Sequence, residues 1–197
     1  MGSDIIIKKG FTSVSLGLLI VMLDLKMGGF DIFLNPAGFA LAAYGTYKLR
    51  GIEHAKVRKY SKINLRIFGV LFVLSIPLMF YPPFAGAGFN VGYKGGVDLV
   101  LGILYIALEY IGITLVCFSV RELASGSLME KADLVGKLSI AAPIVFLAYM
   151  VILSVFQEVA VALLAIPVVI FILGVGAGGI VISWKARYLD QDMESSA

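Results

Sequence analysis

Long apolar runs alternate with short polar segments along the whole chain, and this pattern predicts membrane-spanning helices. A span needs about 20 mainly apolar residues. Six runs approach this length, at residues 8–24, 32–49, 66–81, 98–120, 138–156 and 159–183. Only Gln157 and Glu158 separate the last two runs, so we expect a tight turn there. The sequence therefore predicts an all-α, polytopic transmembrane bundle of about six spans, a single integral membrane domain over residues 1–197.

The distribution of basic residues favours a topology with both termini in the cytoplasm. With six spans, 14 of the 16 Lys and Arg residues fall on the cytoplasmic side, and only Lys26 and Lys94 fall outside. This asymmetry is what the positive-inside rule describes. Omitting or merging one span would move Lys185 and Arg187 to the outer side.

Composition agrees with a membrane protein and excludes several other classes. The chain is 60% hydrophobic and 15% charged, whereas soluble domains are about 45–50% apolar and about 25% charged. A net charge of +3 is too small for a basic nucleic-acid-binding protein, so we expect no nucleic-acid partner. One cysteine, Cys117, and one histidine, His54, leave no internal disulfide and no zinc site rich in these ligands. We expect no cofactor, no metal and no catalytic residue.

The predicted cytoplasmic loop between residues 50 and 66 is rich in basic residues. Its apolar positions fall near one helical face, which predicts a short amphipathic interfacial helix; they are Ile52, Ala55, Tyr60 and Ile63. Anionic lipid attracts such a segment by about 1 kcal/mol per basic residue. The simpler interpretation is that the charges only determine topology. The predicted lipid-headgroup contacts are Lys56, Arg58, Lys59 and Lys62, with the bilayer as partner.

An internal repeat relates the second and fourth predicted spans. A shift of 67 positions aligns residues 28–45 with 95–112 at seven identities, including a Gly-Gly-x-Asp-x-x-Leu element. Duplicated helical hairpins would run both spans in the same direction, as a parallel repeat. Chance matching among apolar residues is the alternative.

Three acidic residues stand at the outer, N-terminal ends of the even-numbered spans: Asp31, Asp98 and Glu158. A carboxylate in this position complements the helix dipole and caps free N–H groups. The functional alternative is an outer acidic mouth for a cation or a basic ligand.

Glu109 is the residue that most strongly suggests a function. It is twelfth in the 23-residue span 98–120 and therefore lies near the bilayer midplane, where a charge costs about 2.5–3.5 kcal/mol. Helical spacing predicts a small and polar stripe on each of two spans. On span 4 the stripe consists of Asp98, Gly102, Tyr105, Glu109, Gly112 and Val116. On span 2 it consists of Asp31, Asn35, Gly38, Ala42 and Gly45.

Stripes of this composition face protein rather than lipid, so we expect spans 2 and 4 to line the bundle centre. The predicted intramembrane polar site contains Glu109, Tyr105 and Asn35, with Tyr44 and Thr46 as further partners if the packing register allows. Glu109 is then either a protonated carboxyl group that links two helices or a site for a proton or cation.

Proline and glycine mark further positions inside the spans. We expect Asn35-Pro36 and Pro77 to interrupt spans 2 and 3, with Pro167 inside span 6. Broken helices sometimes mark transport sites, although kinks without function are commoner. Residues 174–179 match a dinucleotide-binding pattern but lie inside a span, so close helix packing explains their glycines better.

The first third of the chain resembles a group of small multi-spanning membrane proteins of Gram-positive bacteria. The residues that carry the resemblance are Lys8-Lys9-Gly10-Phe11, Gly17, Asp24, Gly28-Gly29-Phe30-Asp31-Ile32, Pro36, Gly38-Phe39, Gly45 and Lys48-Leu49. The chain departs from the group in Phe39, where an aromatic hydroxyl is usual, and in Asn35, where an acid is usual. The resemblance covers about 50 residues. It implies a bacterial cytoplasmic membrane and brings no activity with it.

The sequence thus predicts a multi-pass protein without enzymatic activity. Short loops and the lack of a catalytic constellation favour an interaction or regulatory subunit, with another membrane protein or a second copy as partner. The alternative is a small-solute or ion transporter, proton-coupled through Glu109.

Overall fold

Six α-helices make up nearly all of the part of the chain that the computed structural model describes, residues 2–22, 26–27, 30–31, 34–80, 96–155 and 160–189. They are α1 (Gly2–Met22), α2 (Leu34–Leu49), α3 (Ala55–Phe80), α4 (Gly96–Leu123), α5 (Gly126–Val155) and α6 (Ala160–Ala186). Between α1 and α2, the two-residue strands β1 (Lys26–Met27) and β2 (Phe30–Asp31) pair antiparallel. The prediction of an all-α bundle is confirmed.

Within the described ranges, four helices are long and apolar enough to cross a membrane, over Ile5–Met22, Ile103–Leu123, Gly126–Tyr149 and Ile166–Ala186. Of the other two, α2 has 16 residues and α3 carries several basic residues near its start. Large apolar side chains are exposed on all six helices, and such a surface is suited to lipid rather than water. The described helices therefore fit a membrane protein, and full spanning by α2 and α3 stays a prediction.

The helices form a ring in which each packs against the next along the chain and α6 returns to α1. In addition, α4 packs against α6, so α4 and α6 each pack on three helices. The Tyr105 ring of α4 also contacts the Phe39 ring of α2, and we therefore call α4 the central helix. The prediction that span 4 lines the bundle centre is confirmed. α2 packs mainly on α1 and α3, with Phe39 also touching Tyr105 of α4, so the same expectation for span 2 stays a prediction.

The small residues of the α2 stripe pack against α1, and this contact explains the position of α2. A Cβ atom added at Gly17 would lie 2.5 Å from the Gly38 carbonyl oxygen, and one at Gly45 would lie 2.6 Å from the Gly10 carbonyl oxygen. The two backbones therefore touch, as small residues permit between membrane helices. The stripe does face protein, as predicted, but its neighbour is α1 instead of α4.

The glycines of residues 174–179 also serve close packing, as predicted. Gly176 faces Met22 of α1, Gly178 faces Val135 of α5, and Gly179 faces Ile113 of α4. At Gly179 an added Cβ would lie 2.5 Å from the Ile113 side chain. The motif thus lets α6 approach three helices at once.

The prediction of a separate amphipathic helix in the cytoplasmic loop is wrong. Residues 55–80 form one continuous helix, α3, whose buried face runs through residues 57, 61, 64, 68, 71 and 75. Of the predicted apolar face, Ala55 and Ile63 are exposed instead. Packing against α2 and α4 defines the buried face of α3, and this packing extends past Arg66 into the basic segment.

The predicted proline interruptions of spans 2 and 3 are also wrong. Pro36 lies in the first turn of α2, where the missing N–H costs nothing, and Pro77 lies in the last turn of α3. Pro143 and Pro167 lie inside α5 and α6, and both helices continue through them. The helices are therefore not broken at these prolines.

The helix boundaries differ most from prediction at one end of the bundle, where α2, α4 and α6 end and α1, α3 and α5 begin. We call it the basic end. At this end α1 begins at Gly2 and α5 at Gly126, well before the predicted residues 8 and 138. Gly126 has a φ of 57° and follows a two-residue connection from α4. The predicted turn between spans 5 and 6 falls between Val155 and Ala160, outside the described residues.

Candidate functional site

Polar side chains join the central helix α4 to three neighbours. The Asn64 amide nitrogen on α3 donates to the Gly112 carbonyl oxygen at 3.1 Å. The Tyr110 hydroxyl donates to the Ile172 carbonyl oxygen of α6 at 2.7 Å, and the Thr114 hydroxyl approaches the Gly136 carbonyl oxygen of α5 at 3.5 Å. Neutral hydrogen bonds of this kind connect helices in an apolar environment.

The face of α4 that carries Glu109 is directed at α2 and α3. One turn before Glu109, the Tyr105 ring meets the Phe39 ring of α2 edge-on, with 5.8 Å between centroids. Three residues after Glu109, a Cβ atom at Gly112 would lie 2.8 Å from the Phe68 ring of α3. The predicted small and polar stripe therefore faces protein, as expected. Glu109 itself is half-buried and has an interaction partner.

The described contacts do not join Asn35 to Glu109 and Tyr105. Asn35 is in the first turn of α2, half-buried, and its Oδ1 atom is buried without a hydrogen-bond partner in the described structure. Phe39 of α2 lies level with Tyr105, and α2 and α4 run in the same direction, so Asn35 and Glu109 are offset by about 12 Å along the helix axes. The three residues therefore do not form one cluster.

The two further partners suggested for Glu109 are engaged elsewhere. The Thr46 hydroxyl donates to its own helix, 2.8 Å from the Ala43 carbonyl oxygen. The Tyr44 side chain is exposed, with the Lys48 ammonium group 5.1 Å from its ring centroid. The packing register therefore does not favour either contact.

The predicted outer acidic mouth lies mainly outside the described residues. Asp31 belongs to β2, where its backbone pairs with Lys26, and it precedes the first residue of α2. Asp98 is the third residue of α4. Their side chains are not described, and neither is any part of Glu158. The acidic mouth stays a prediction.

Sequence reasoning missed Asn64 and Ser61, which it assigned to a loop. Both are buried on α3 beside each other, and their Oδ1 and Oγ atoms lack hydrogen-bond partners in the described structure. The signal that could have found them is the helical spacing of Val57, Ser61, Asn64 and Phe68, which continues the buried face of α3.

At the basic end, an ion-pair chain connects α3, α4 and α5. Lys56 pairs with Glu122 at 3.0 Å, Glu122 with Arg121 at 2.9 Å, and Arg121 with Asp133 at 2.9 Å. Asp133 also pairs with Lys137, one turn further along α5. The Glu122 side chain is only 11% exposed and lies between two cations.

The ion-pair chain at the basic end includes one of the four predicted lipid contacts and not the other three. Lys56 is paired with Glu122, whereas Arg58, Lys59 and Lys62 are exposed on α3. Within the described ranges, these three side chains have no ion-pair partner. Lys56 is therefore a link between helices, and the other three are available to the surroundings.

The described residues contain no group of three or more His, Cys, Asp or Glu side chains arranged to hold a metal ion. Cys117 is fully buried in α4. What the described arrangement offers chemically is a half-buried carboxyl group within a helix bundle and an exposed basic surface at one end. No protein-family model, no curated protein and no solved structure matches this chain.

Proposed function

We propose that this protein is a non-enzymatic membrane protein that acts as an interaction or regulatory subunit within the lipid bilayer. The observation that carries the proposal is the packing around α4 in the half nearer the basic end. There the side chains of α4 are packed closely against the neighbouring helices, and Ile113, Val116, Cys117 and Val120 are at most 1% exposed. A solute moving along α4 would have to pass this layer.

The links between helices support the same proposal. Backbone contact at the glycines and hydrogen bonds from Asn64 and Tyr110 hold α4 against its neighbours. Packed interiors transmit small displacements because they rearrange between discrete states rather than deform continuously. A bundle of this kind is suited to binding and stabilising another membrane component.

The test measures the state of the protein in its native membrane. The chain has a mass of 21.2 kDa. After extraction into lipid nanodiscs without detergent, we expect native mass spectrometry to find it in an assembly of fixed stoichiometry, with a second membrane protein or another copy. A chain recovered only as a monomer, and active in transport when reconstituted alone, would contradict the proposal.

A second candidate is a proton-coupled transporter of a cation or small solute, and the position of Glu109 favours it. The residue lies in the middle of α4, half-buried on the face directed at α2 and α3. This candidate requires proton flux in liposomes that contain the protein alone.

The matched variants are Glu109→Gln and Glu130→Gln, since Glu130 is exposed near the start of α5. A transporter would lose flux in Glu109→Gln and keep it in Glu130→Gln. Equal background leakage from the wild type and both variants would exclude transport through Glu109 and agree with the subunit proposal.

A further inference from the structure

Three basic residues lie on one line along the outward face of α3. Lys59, Lys62 and Arg66 follow the helical spacing i, i+3 and i+7, and all three are exposed. We call them the basic stripe. The same line continues beyond Arg66 with Val70 and Val73, which are 48% and 62% exposed. The outward face of α3 thus changes from basic to apolar within one helix turn.

Contacts between α3 and α4 show how far the basic stripe extends along the bundle. Lys56 pairs with Glu122, the Tyr60 and Phe118 ring centroids are 6.3 Å apart, and Asn64 bonds to Gly112. The two helices therefore run antiparallel in a fixed register. Arg66 lies two residues beyond Asn64, whose partner Gly112 is near the middle of the apolar window Ile103–Leu123 of α4. Arg66 is thus ten residues beyond Lys56, about 15 Å along the axis, or about half the thickness of a bilayer's hydrocarbon core.

Elsewhere around the bundle the exposed charges stay closer to the basic end. α4 has no charged residue between Glu109 and Arg121. On α1 the last basic residue is Lys9, beside the Gly10 contact with Leu49, and on α6 the first is Lys185. Lys137 of α5 follows Gly136, which packs on Phe118, but its charge is paired with Asp133. Among the described residues, unpaired basic side chains extend this far only along α3.

A cation at this depth is costly unless it reaches polar surroundings or receives an anion. Lys and Arg side chains extend toward the interface while their aliphatic parts stay in the apolar layer. The stripe lacks an ion-pair partner in the described part of the chain. The anion available at the membrane surface is the phosphate of a phospholipid headgroup, and guanidinium and ammonium groups both bind phosphate.

We propose that the basic stripe binds the headgroup of an anionic phospholipid and draws it toward the bilayer centre. The adjacent leaflet is then locally thinner along α3 than around the rest of the bundle. Lys56 does not take part, because Glu122 binds it, and Arg66 does. This proposal does not depend on whether the protein is a subunit or a transporter.

The experiment places a fluorescent reporter within the stripe. Trp184 is the single tryptophan and lies on α6, which is not among the helices that pack on α3. A Trp184→Phe, Ile63→Trp protein carries its reporter at an exposed position between Lys62 and Asn64. Reconstituted in vesicles with brominated phosphatidylglycerol or brominated phosphatidylcholine, it reports which lipid contacts the stripe.

We expect stronger quenching by brominated phosphatidylglycerol than by brominated phosphatidylcholine. Neutralising the stripe with Lys59→Gln, Lys62→Gln and Arg66→Gln should bring the two lipids to equal quenching. The single change Lys62→Gln should lower the binding constant of phosphatidylglycerol relative to that of phosphatidylcholine by roughly fivefold at most. This single variant tests the proposal if the triple variant does not fold. The matched control is Lys9→Gln, Lys131→Gln and Lys185→Gln, which removes the same charge from exposed positions at the same end.

Several outcomes would overturn the proposal. Equal losses in the stripe and control variants would indicate diffuse surface charge, and quenching by neither lipid would place this face of α3 in water. If inorganic phosphate abolishes the preference for phosphatidylglycerol, whereas chloride at equal ionic strength does not, the stripe is a site for free phosphate. Bromines near the headgroup should quench more than bromines at the chain terminus, and the reverse order would contradict the inward position of the headgroup.

Discussion

The glycine contacts between α1 and α2 give a prediction at the scale of single residues. At Gly17, an added methyl group would meet backbone atoms of Gly38 and Ala42 at 2.5 and 2.6 Å, and backbone cannot move aside as a flexible side chain can. We expect Gly17→Ala to push the helices apart and lower the free energy of unfolding by about 1–3 kcal/mol, the usual cost of overpacking. Thermal unfolding in detergent, followed by circular dichroism, measures the change.

The matched control is Gly174→Ala, since nothing lies within 4 Å of the Cβ position at Gly174. Alanine is the better helix former, so this variant should be as stable as the wild type or slightly more so. If Gly17→Ala proves as well tolerated as Gly174→Ala, then α1 and α2 do not pack as closely as described.

Residues whose role follows from helical spacing could be predicted from the sequence, and residues whose role depends on a neighbouring helix could not. The stripe through Tyr105, Glu109 and Gly112 was placed correctly against protein because a 3.6-residue period fixes which side chains share a face. The identity of the neighbour is a property of the tertiary packing. Gly38 and Gly45 of α2 therefore face α1, and Asn35 is separated from Glu109.

At the scale of helices, the ion-pair chain should couple α3 to α4 weakly. Lys56 is 64% exposed on its side chain and Glu122 is 11% exposed, so solvent screens one partner strongly. From a double-mutant cycle of Lys56→Gln and Glu122→Gln, we expect a coupling energy below about 1 kcal/mol, falling as salt is added. Glu122→Gln alone should cost more than Lys56→Gln alone, because Glu122 also pairs with Arg121.

Chemical unfolding of the wild type and the three variants at low and high salt measures the cycle. Exposed Lys131, which has no ion pair among the described residues, supplies the reference change Lys131→Gln. A cycle energy that does not change with salt would show that Lys56 and Glu122 interact by packing rather than by charge.

Hydropathy predicted the number of helices but misplaced their ends at the basic end. A hydropathy window reports which residues prefer lipid, whereas a helix continues for as long as its backbone is paired and one face is packed. α3 and α5 therefore extend from the apolar runs into charged segments, where Val57 and Ala132 are fully buried against other helices. The same extension gives the basic stripe its position.

At the scale of the whole molecule, the duplicated-hairpin hypothesis gains support from packing. Gly45 and Gly112 occupy the same position in the repeat, and each faces the helix that precedes it in the chain, α1 and α3 respectively. The two hairpins then diverge in position, because α4 also packs on α5 and α6, whereas α2 packs mainly on α1 and α3. A common origin would thus explain the shared register and not the central place of Glu109.

The last prediction concerns how the bundle crosses the bilayer, with both termini and the basic end in the cytoplasm. Buried Cys117 is replaced by Ser, and single cysteines are introduced at Glu53, Ser127 and Tyr188, which are exposed at the basic end. A fourth protein carries Ala87→Cys in the segment between α3 and α4. With a membrane-impermeant maleimide applied to intact spheroplasts, only the cysteine at position 87 should react, and all four should react once the membrane is opened.

Position 53 decides the number of spans, since α2 and α3 lie on either side of it. If it reacts in intact cells while positions 127 and 188 do not, α2 and α3 do not cross the membrane and the bundle has four spans.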